Sequence, residues 1–364
     1  MALTGILSRY IGRQFVLSFL FLLFAFLSII MLIDLVEMLR RAASRPDVTF
    51  TIAFEMSLFK LLNIGQKAFP FVLLFAGMFT FWRLTRSAEL VVARAVGVSA
   101  WQFMFPVIVG AGMIGLLLIG VINPVGAILY SRYEQLENRY WRGMSGSFSI
   151  SHSGFWVRQF DGDDQFLIHA ETLDPVAREL RPVVVFLYHG DDEYTGRLDA
   201  TSAVLQPGYW EIRNVWRNLP HKGPEKVDRI RIPTDLTMER IEESFASPET
   251  LSFWKLPSFI RTLELTGLPT VRHRIYYQSL LAQPLLFCAM VMFAAAFSLR
   301  QQRRGGTMTM IAGGVLTGFC VFLLTDVIKT FGSTEEIPIV LAAWGPAVSS
   351  LLFGVAVLLH LEDG

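Results

Sequence analysis

The chain has 364 residues, of which 53% are hydrophobic and 17% charged, and its formal net charge is +1. A mean hydropathy of +0.46, with the apolar residues gathered into long runs, excludes an ordinary soluble globule. The near-zero net charge points to neither nucleic acid nor an acidic substrate, so the placement of the charges carries the information.

Residues 1–14 carry Arg9 and Arg13, and Phe15 to Ile33 then contains no charge. At about 1.5 Å per residue that run covers the hydrocarbon thickness of a bilayer. The shorter apolar core and small-residue cleavage site of a signal peptide are missing, so this first span is expected to be retained, N-terminus inside. A second span is expected from about Leu61 to Trp82, with Lys67 and Pro70 near its start. The third begins near Trp101 and stays uncharged to Ser131, longer than one crossing needs, so it should continue as a helix beyond the membrane. Ile275–Leu299, Gly305–Leu324 and Ile337–Leu359 supply the fourth, fifth and sixth.

Between the second and third spans, RLTRSAELVVARAVGVSAW is too charged to cross, with Arg83, Arg86, Glu89 and Arg94. It is also too apolar for a plain linker, because Leu90, Val91, Val92, Ala95 and Val96 fall in its middle. Ser87, two residues before Glu89, suggests the cap of a short helix, although the capping-box spacing is absent. Leu84, Ala88, Val91, Val92, Ala95 and Val96 recur at helical intervals along one face. Such a helix is expected to be where a cytoplasmic motor grips the protein; the plainer alternative is a helix lying among lipid headgroups.

Arg9 and Arg13, then Arg83, Arg86 and Arg94, then Arg300, Arg303 and Arg304 fall on one side of the six spans. The opposite short loop, with Asp326, Lys329, Glu335 and Glu336, is net acidic. The positive-inside rule makes the first side cytoplasmic, with both termini inside and the central polar region outside. That region reads as β: FSIS, GFWVRQF, DQFLIHAETL, RPVVVFLYHG, GRLDATSAVL and GYWEIRNVW are separated by turn residues, with Gln206-Pro207-Gly208 the clearest. The spacing predicts an antiparallel sandwich or jelly roll. Leu236–Phe245 and Pro257–Gly267 read as short helices leading back. The expected division is three spans in 1–131 with the short helix at about 86–97, a β domain in 132–272, and three spans in 273–364.

No GxxxxGK[ST] phosphate loop, HExxH pair or GxSxG elbow occurs, so an enzyme has no constellation to stand on, and no metal site is expected. Cys288 and Cys320 lie in apolar runs and are expected to be buried thiols. Asp34 and Glu37 end the first span, and Arg40, Arg41 and Arg45 form a basic cluster at the outer surface. The guanidinium fork suits lipid phosphates, whereas ordinary anchoring by snorkelling is the bland reading. Asp326 and Lys329, three apart near the outer end of the fifth span, could pair or line a polar route. Arg132, Arg139 and Arg142 interleave with Tyr130, Tyr133, Tyr140 and Trp141 as an interfacial band.

Three spans, an outer β domain and three more spans, with RSAELVVARAVGVS after the second, resemble the LptF/LptG permease family. The opening GILSRYIGRQF and the closing GFCVFLLTDVIKTFG and IPIVLAAWGPAVSS follow the same pattern, and SRYIGR with ELVV favours the LptG branch. The resemblance implies a non-catalytic, inner-membrane subunit of a transporter that extracts lipopolysaccharide. It implies an LptB-like ATPase dimer that binds the ATP, an LptF-like second permease, and a single-span LptC-like protein joining a bridge of jelly-roll domains. It places ATPase coupling on Arg86, Glu89, Leu90 and Arg94, and headgroup contact on Arg40 and Arg41, with Arg45 beside them. Asp34 departs from it, standing where well-known LptG members carry lysine, so a phosphate contact there is lost or moved. Two other classes are kept beside this one: a membrane-anchored sensor or scaffold, and an enzyme acting on outer-leaflet lipid.

Overall fold

The computed structural model describes residues 2–43, 45, 47–95, 97–142, 148–151, 154–161, 164–174, 177–190, 193–220, 223–234, 247–265, 268–299 and 307–363. Six helical stretches among them are long and apolar enough to cross a membrane: Gly5–Ala42, Phe50–Arg86, Ala100–Trp141, Val271–Ser298, Met308–Ser333 and Ile339–His360. They belong to α1 (Ala2–Ala42), α2 (Phe50–Arg86), the run through α4 (Ala100–Leu117) and α5 (Asn123–Glu137), and three C-terminal helices. The short α3 (Glu89–Ala95) separates α2 from α4. A π-helical turn, Leu118–Ile122, lies between α4 and α5, and a second, Asn138–Arg142, follows α5. The α2 helix starts eleven residues before the expected Leu61, because Glu55 and Lys60 interrupt the apolar run without interrupting the helix.

Chain contacts divide the protein into two units, one of residues 1–134, 252–254 and 274–364, the other of 135–251 and 255–273. In the first, α7 (Val271–Ser298) is the most enclosed of the spans. Phe69 of α2 lies between Phe19 of α1 at 5.8 Å and Phe287 of α7 at 6.2 Å. Small residues let backbones close up, as they do wherever lipid leaves no hydrophobic drive between helices. A Cβ on Gly115 of α4 would stand 2.6 Å from Pro284 Cα. The remaining helices, α8 (Thr307–Ser333) and α9 (Ile339–Asp363), leave large apolar side chains such as Phe319, Phe322, Leu352 and Phe353 exposed. Cys320 is also exposed, contrary to expectation, since an apolar run in a spanning helix does not reveal which side meets protein.

The second unit is a seven-stranded antiparallel sheet in sequence order. Its strands are β1 (Phe148–Ser151), β2 (Gly154–Asp161), β3 (Asp164–Asp174), β4 (Glu179–His189), β5 (Glu193–Gln206), β6 (Tyr209–Asn218) and β7 (Glu225–Pro233). The expected antiparallel all-β insert is found, its described strands forming a meander. Gly208 at φ +86° supplies the left-handed residue that the β5–β6 hairpin needs. Alternation buries Val157, Ile168, Val183, Val185, Leu198 and Val215 on one face. Towards the other end the alternation slips by one residue, so that Leu173, Leu180, Ala203, Trp210 and Ile212 are buried and join the same core; Asn214, at φ +52°, stands at the slip in β6. Leu263 of α6 (Leu256–Leu265) joins this cluster. The expected return helix near 257–267 is this α6; the one expected at 236–245 lies outside the described residues.

Candidate functional site

Two places in the membrane unit gather the residues singled out above. The first is the corner between α2 and α4. The α2 helix ends at Arg86, where Ser87 N–H donates to Arg83 O at 3.0 Å and Ser87 Oγ to the same carbonyl at 3.0 Å. Ser87 is therefore the C-terminal cap of α2, not the N-cap of the next helix, because Ala88 at φ +59° turns the chain in between. The short helix is confined to Glu89–Ala95 rather than 86–97, and Gly97 at φ +87° ends the corner. The capping box that is missing at Ser87 sits instead at Ser99, the N-cap of α4. Gln102 N–H donates to Ser99 Oγ at 3.3 Å and Ser99 N–H to Gln102 Oε1 at 3.2 Å, starting α4.

Within this corner the four expected coupling residues behave differently. Leu90 is 6% exposed and belongs to the main core, so it pins α3 to the bundle from within. Glu89 Oε1 accepts from Ser87 Oγ at 2.8 Å and, at 3.5 Å, from Tyr10 OH of α1. It ties α3 to α1 as well as carrying charge. Arg86 is exposed and stacks on Trp82 at 5.2 Å. Arg94 lies on α3, but its side chain falls outside those described. Val92, placed by the spacing on the apolar face with the buried Leu84, is 62% exposed, and Tyr10 is a residue that the spacing does not point to. Only a side chain 79 residues away reveals Tyr10's part, which no local spacing signals.

The second place is the far end of the α1–α2 pair. Glu37 receives Arg40 Nε at 2.9 Å and Arg41 Nε at 3.0 Å, one turn on, as the four-residue spacing implies. One carboxylate thus holds two exposed guanidiniums. Arg45 lies exposed in the turn after the helix. Asp34, the departure noted above, is 8% exposed and forms an ion pair across to α2. Its Oδ1 accepts from Lys60 Nζ at 2.8 Å and its Oδ2 from Ser57 Oγ at 2.7 Å. Lys60 also sits 5.4 Å above the Tyr133 ring. Tyr133 is 3% exposed and so belongs to this buried group rather than to an interfacial band. Asp326 is exposed and Lys329 half-buried, one turn apart on α8.

A further polar group surrounds the π-helical turn. Asn123, 1% exposed, donates to Tyr276 OH at 3.0 Å and to Gln66 Oε1 at 3.4 Å. Its Oδ1 accepts the Phe253 N–H at 2.9 Å, and Trp254 Nε1 donates to Gly120 O at 3.3 Å. A π turn releases carbonyls from the regular ladder, and here the indole takes one up. Among the described residues no group of three or more His, Cys, Asp or Glu is placed to hold a metal ion.

Comparison with known proteins gives these positions a context. A model of the family described as lipopolysaccharide export system permease LptF/LptG matches residues 9–360. The chain is 22% identical over 369 residues to the lipopolysaccharide export system permease protein LptG of Escherichia coli K12, covering 98% of each chain. It is 23% identical over 365 residues to LptG of Haemophilus influenzae Rd, covering 96% of each.

Proposed function

The chain belongs to the LptF/LptG family of lipopolysaccharide export permeases, and from that premise we propose that it is the LptG-type half of an ATP-driven lipid extractor. In this reading an LptB-like ATPase dimer binds ATP and supplies the motion. An LptF-like permease closes the cavity from the other side. An LptC-like protein continues the β domain of this chain into a bridge that receives the lipid. The arginine-bearing corner faces the cytoplasm and the sheet faces the periplasm, as the charge asymmetry of the short loops favours. The chain itself performs no catalysis. It converts a push on the corner into a change of cavity affinity, the one quantity through which ATP binding can expel a bound lipid.

The observation that carries the reading is the construction of the corner. A seven-residue helix is bracketed by left-handed residues at 88 and 97, pinned by Leu90, and tied to α1 through Glu89. Val92 and Arg86 are left on the outside. A segment held this firmly by two spanning helices transmits displacement to both. At the other end, the Arg40–Glu37–Arg41 group and Arg45 offer guanidinium edges to the lipid phosphates.

Glu89→Lys and Tyr10→Phe, each co-purified with the candidate ATPase and assayed for ATP hydrolysis and lipid release, test this. If Glu89 meets a basic group on the motor, Glu89→Lys abolishes coupling and a charge reversal on the motor restores it, while Tyr10→Phe, which removes the tie to α1, assembles normally but releases less lipid per ATP. If Glu89→Lys couples like the parent, the motor grips elsewhere and the reading of the corner fails.

A further inference from the structure

The third span is interrupted where three causes of helix bending coincide. The π turn Leu118–Ile122 widens the helix, Gly120 sits inside it, and Pro124 follows in the first turn of α5. Pro124 has no N–H, and in a regular helix that group would donate to Gly120 O, four residues back. The donor found at Gly120 O comes from a distant part of the chain: Trp254 Nε1, at 3.3 Å. A Cβ on Gly120 would meet nothing within 4 Å, so no neighbour wedges the turn from that side.

The segment that brings this donor is Ser252–Trp254. It belongs to the membrane unit, while the residues on either side of it, in 135–251 and 255–273, belong to the other. Its attachment is local. Phe253 N–H donates to Asn123 Oδ1 at 2.9 Å, and the Phe253 ring stacks on Tyr277 at 5.2 Å with 16° between planes. The same Asn123 amide spends its Nδ2 on Gln66 and Tyr276, so one side chain ties the segment, α2 and α7 to the start of α5. A Cβ on Gly126, three residues on, would stand 2.5 Å from Gln66 Nε2, so α5 bears directly on that amide. Trp254 itself is 67% exposed, although its indole N–H is engaged.

A permanent anchor would bury its aromatic ring. Here the hydrogen bond that stands in for the missing proline N–H is made by the most exposed ring of the group, where surrounding molecules compete for it. Losing it leaves Gly120 O without this donor in a spanning helix, and losing the Phe253 N–H frees Asn123 Oδ1 as well. We propose that Ser252–Trp254 is a detachable clip that sets the bend of the third span at the π turn. With the clip seated, Asn123 holds the start of α5 to α2 and α7. With the clip withdrawn, the helix rearranges about Gly120 and Pro124, and α5 moves relative to α4. The clip's chain neighbours belong to the sheet's unit, so tension along that chain acts on the third span without passing through the corner at α3. This hinge is a property of the membrane unit and holds whether or not the permease reading does.

The test uses the full chain in lipid nanodiscs, with Cys288→Ala and Cys320→Ser as background and spin labels attached through Met113→Cys and Ile128→Cys. Both positions are exposed, one on α4 and one on α5. The distance between the labels is read by double electron–electron resonance. Trp254→Phe keeps a ring and removes the N–H. It should raise the population of a second distance roughly two- to tenfold over the parent, the factor expected for one hydrogen bond. Its unfolding midpoint should match the parent's, because the ring lies mostly outside the fold. Adding Pro124→Ala returns a backbone donor to Gly120 O and should restore the parent's distribution. Equal distributions in the parent and Trp254→Phe overturn the proposal. So does a second distance that survives Pro124→Ala, since Gly120 O is then not what the clip satisfies. So does a broadened distribution with a lowered unfolding midpoint, which would make Trp254 a packing residue.

Discussion

Replacing Lys60 by methionine removes the cation from Asp34 while keeping most of the side-chain volume. The carboxylate keeps the Ser57 hydroxyl at 2.7 Å on Oδ2 but loses the ammonium at 2.8 Å on Oδ1. With side-chain exposures of 9% for Asp34 and 22% for Lys60, water compensates little. Breaking a buried pair by removing one partner costs roughly 3–5 kcal/mol. The retained hydroxyl and the partial exposure of Lys60 put this site at the lower end, about 3 kcal/mol, or about two orders of magnitude in the unfolding equilibrium. The double replacement Asp34→Leu with Lys60→Met removes both charges and should return to within about 1 kcal/mol of the parent. Reversible unfolding in mixed micelles titrated with an anionic detergent reads all three proteins. A Lys60→Met protein as stable as the parent, or a double variant as unstable as the single one, would refute the account of a desolvated, mutually dependent pair.

Gly115→Ala places a methyl group against the Pro284 backbone and should cost about 1–3 kcal/mol in the same assay. Gly120→Ala, with no atom within 4 Å of the added carbon, is its control. Asn123→Ala leaves the Phe253 N–H without its buried acceptor and should cost about 1–3 kcal/mol by thermal unfolding in detergent. In the sheet, Arg181 with Ser202 holds the Glu179 carboxyl below the usual glutamate range, and Arg213 does the same for Glu211. Their contribution is fully present above the ordinary value of 4.5 and is lost as pH falls through the lower folded-state values. The sheet's melting temperature should therefore drop with acidification below that value, and Glu179→Gln should flatten the drop.

What the sequence reveals is what local periodicity can carry. Uncharged runs locate the spans, and alternation between turn residues locates the strands, because both signals lie within a dozen neighbouring residues. The pairing of Glu37 with Arg41 is legible for the same reason. The ends of α2 and α3 are not. Glu55 and Lys60 look like an interruption because hydropathy records composition rather than backbone hydrogen bonds. Ser87 looks like an N-cap until the left-handed Ala88 shows which helix it closes. The partner of Asp34 is 26 residues distant, and the Asn123 group is drawn from four separate segments. Buried polar groups in a membrane find partners across helices, so their meaning emerges only once the helices are placed.

The meander has a consequence for biosynthesis. Each described strand pairs only with its sequence neighbours, so contact order is low and the sheet can zip up strand by strand as it emerges on the far side of the membrane. The bundle cannot mature on that schedule. Phe69, Gly77 and Gly115 all pack against residues 284–294 of α7, and Asn123 waits for Tyr276 of the same helix. Until α7 arrives, α2 and α4 hold open seams and unsatisfied amides in the lipid. The two units of one chain thus complete on separate clocks. The interval between a finished sheet and an unfinished bundle is when an insertion chaperone or a quality-control protease would have something to recognise.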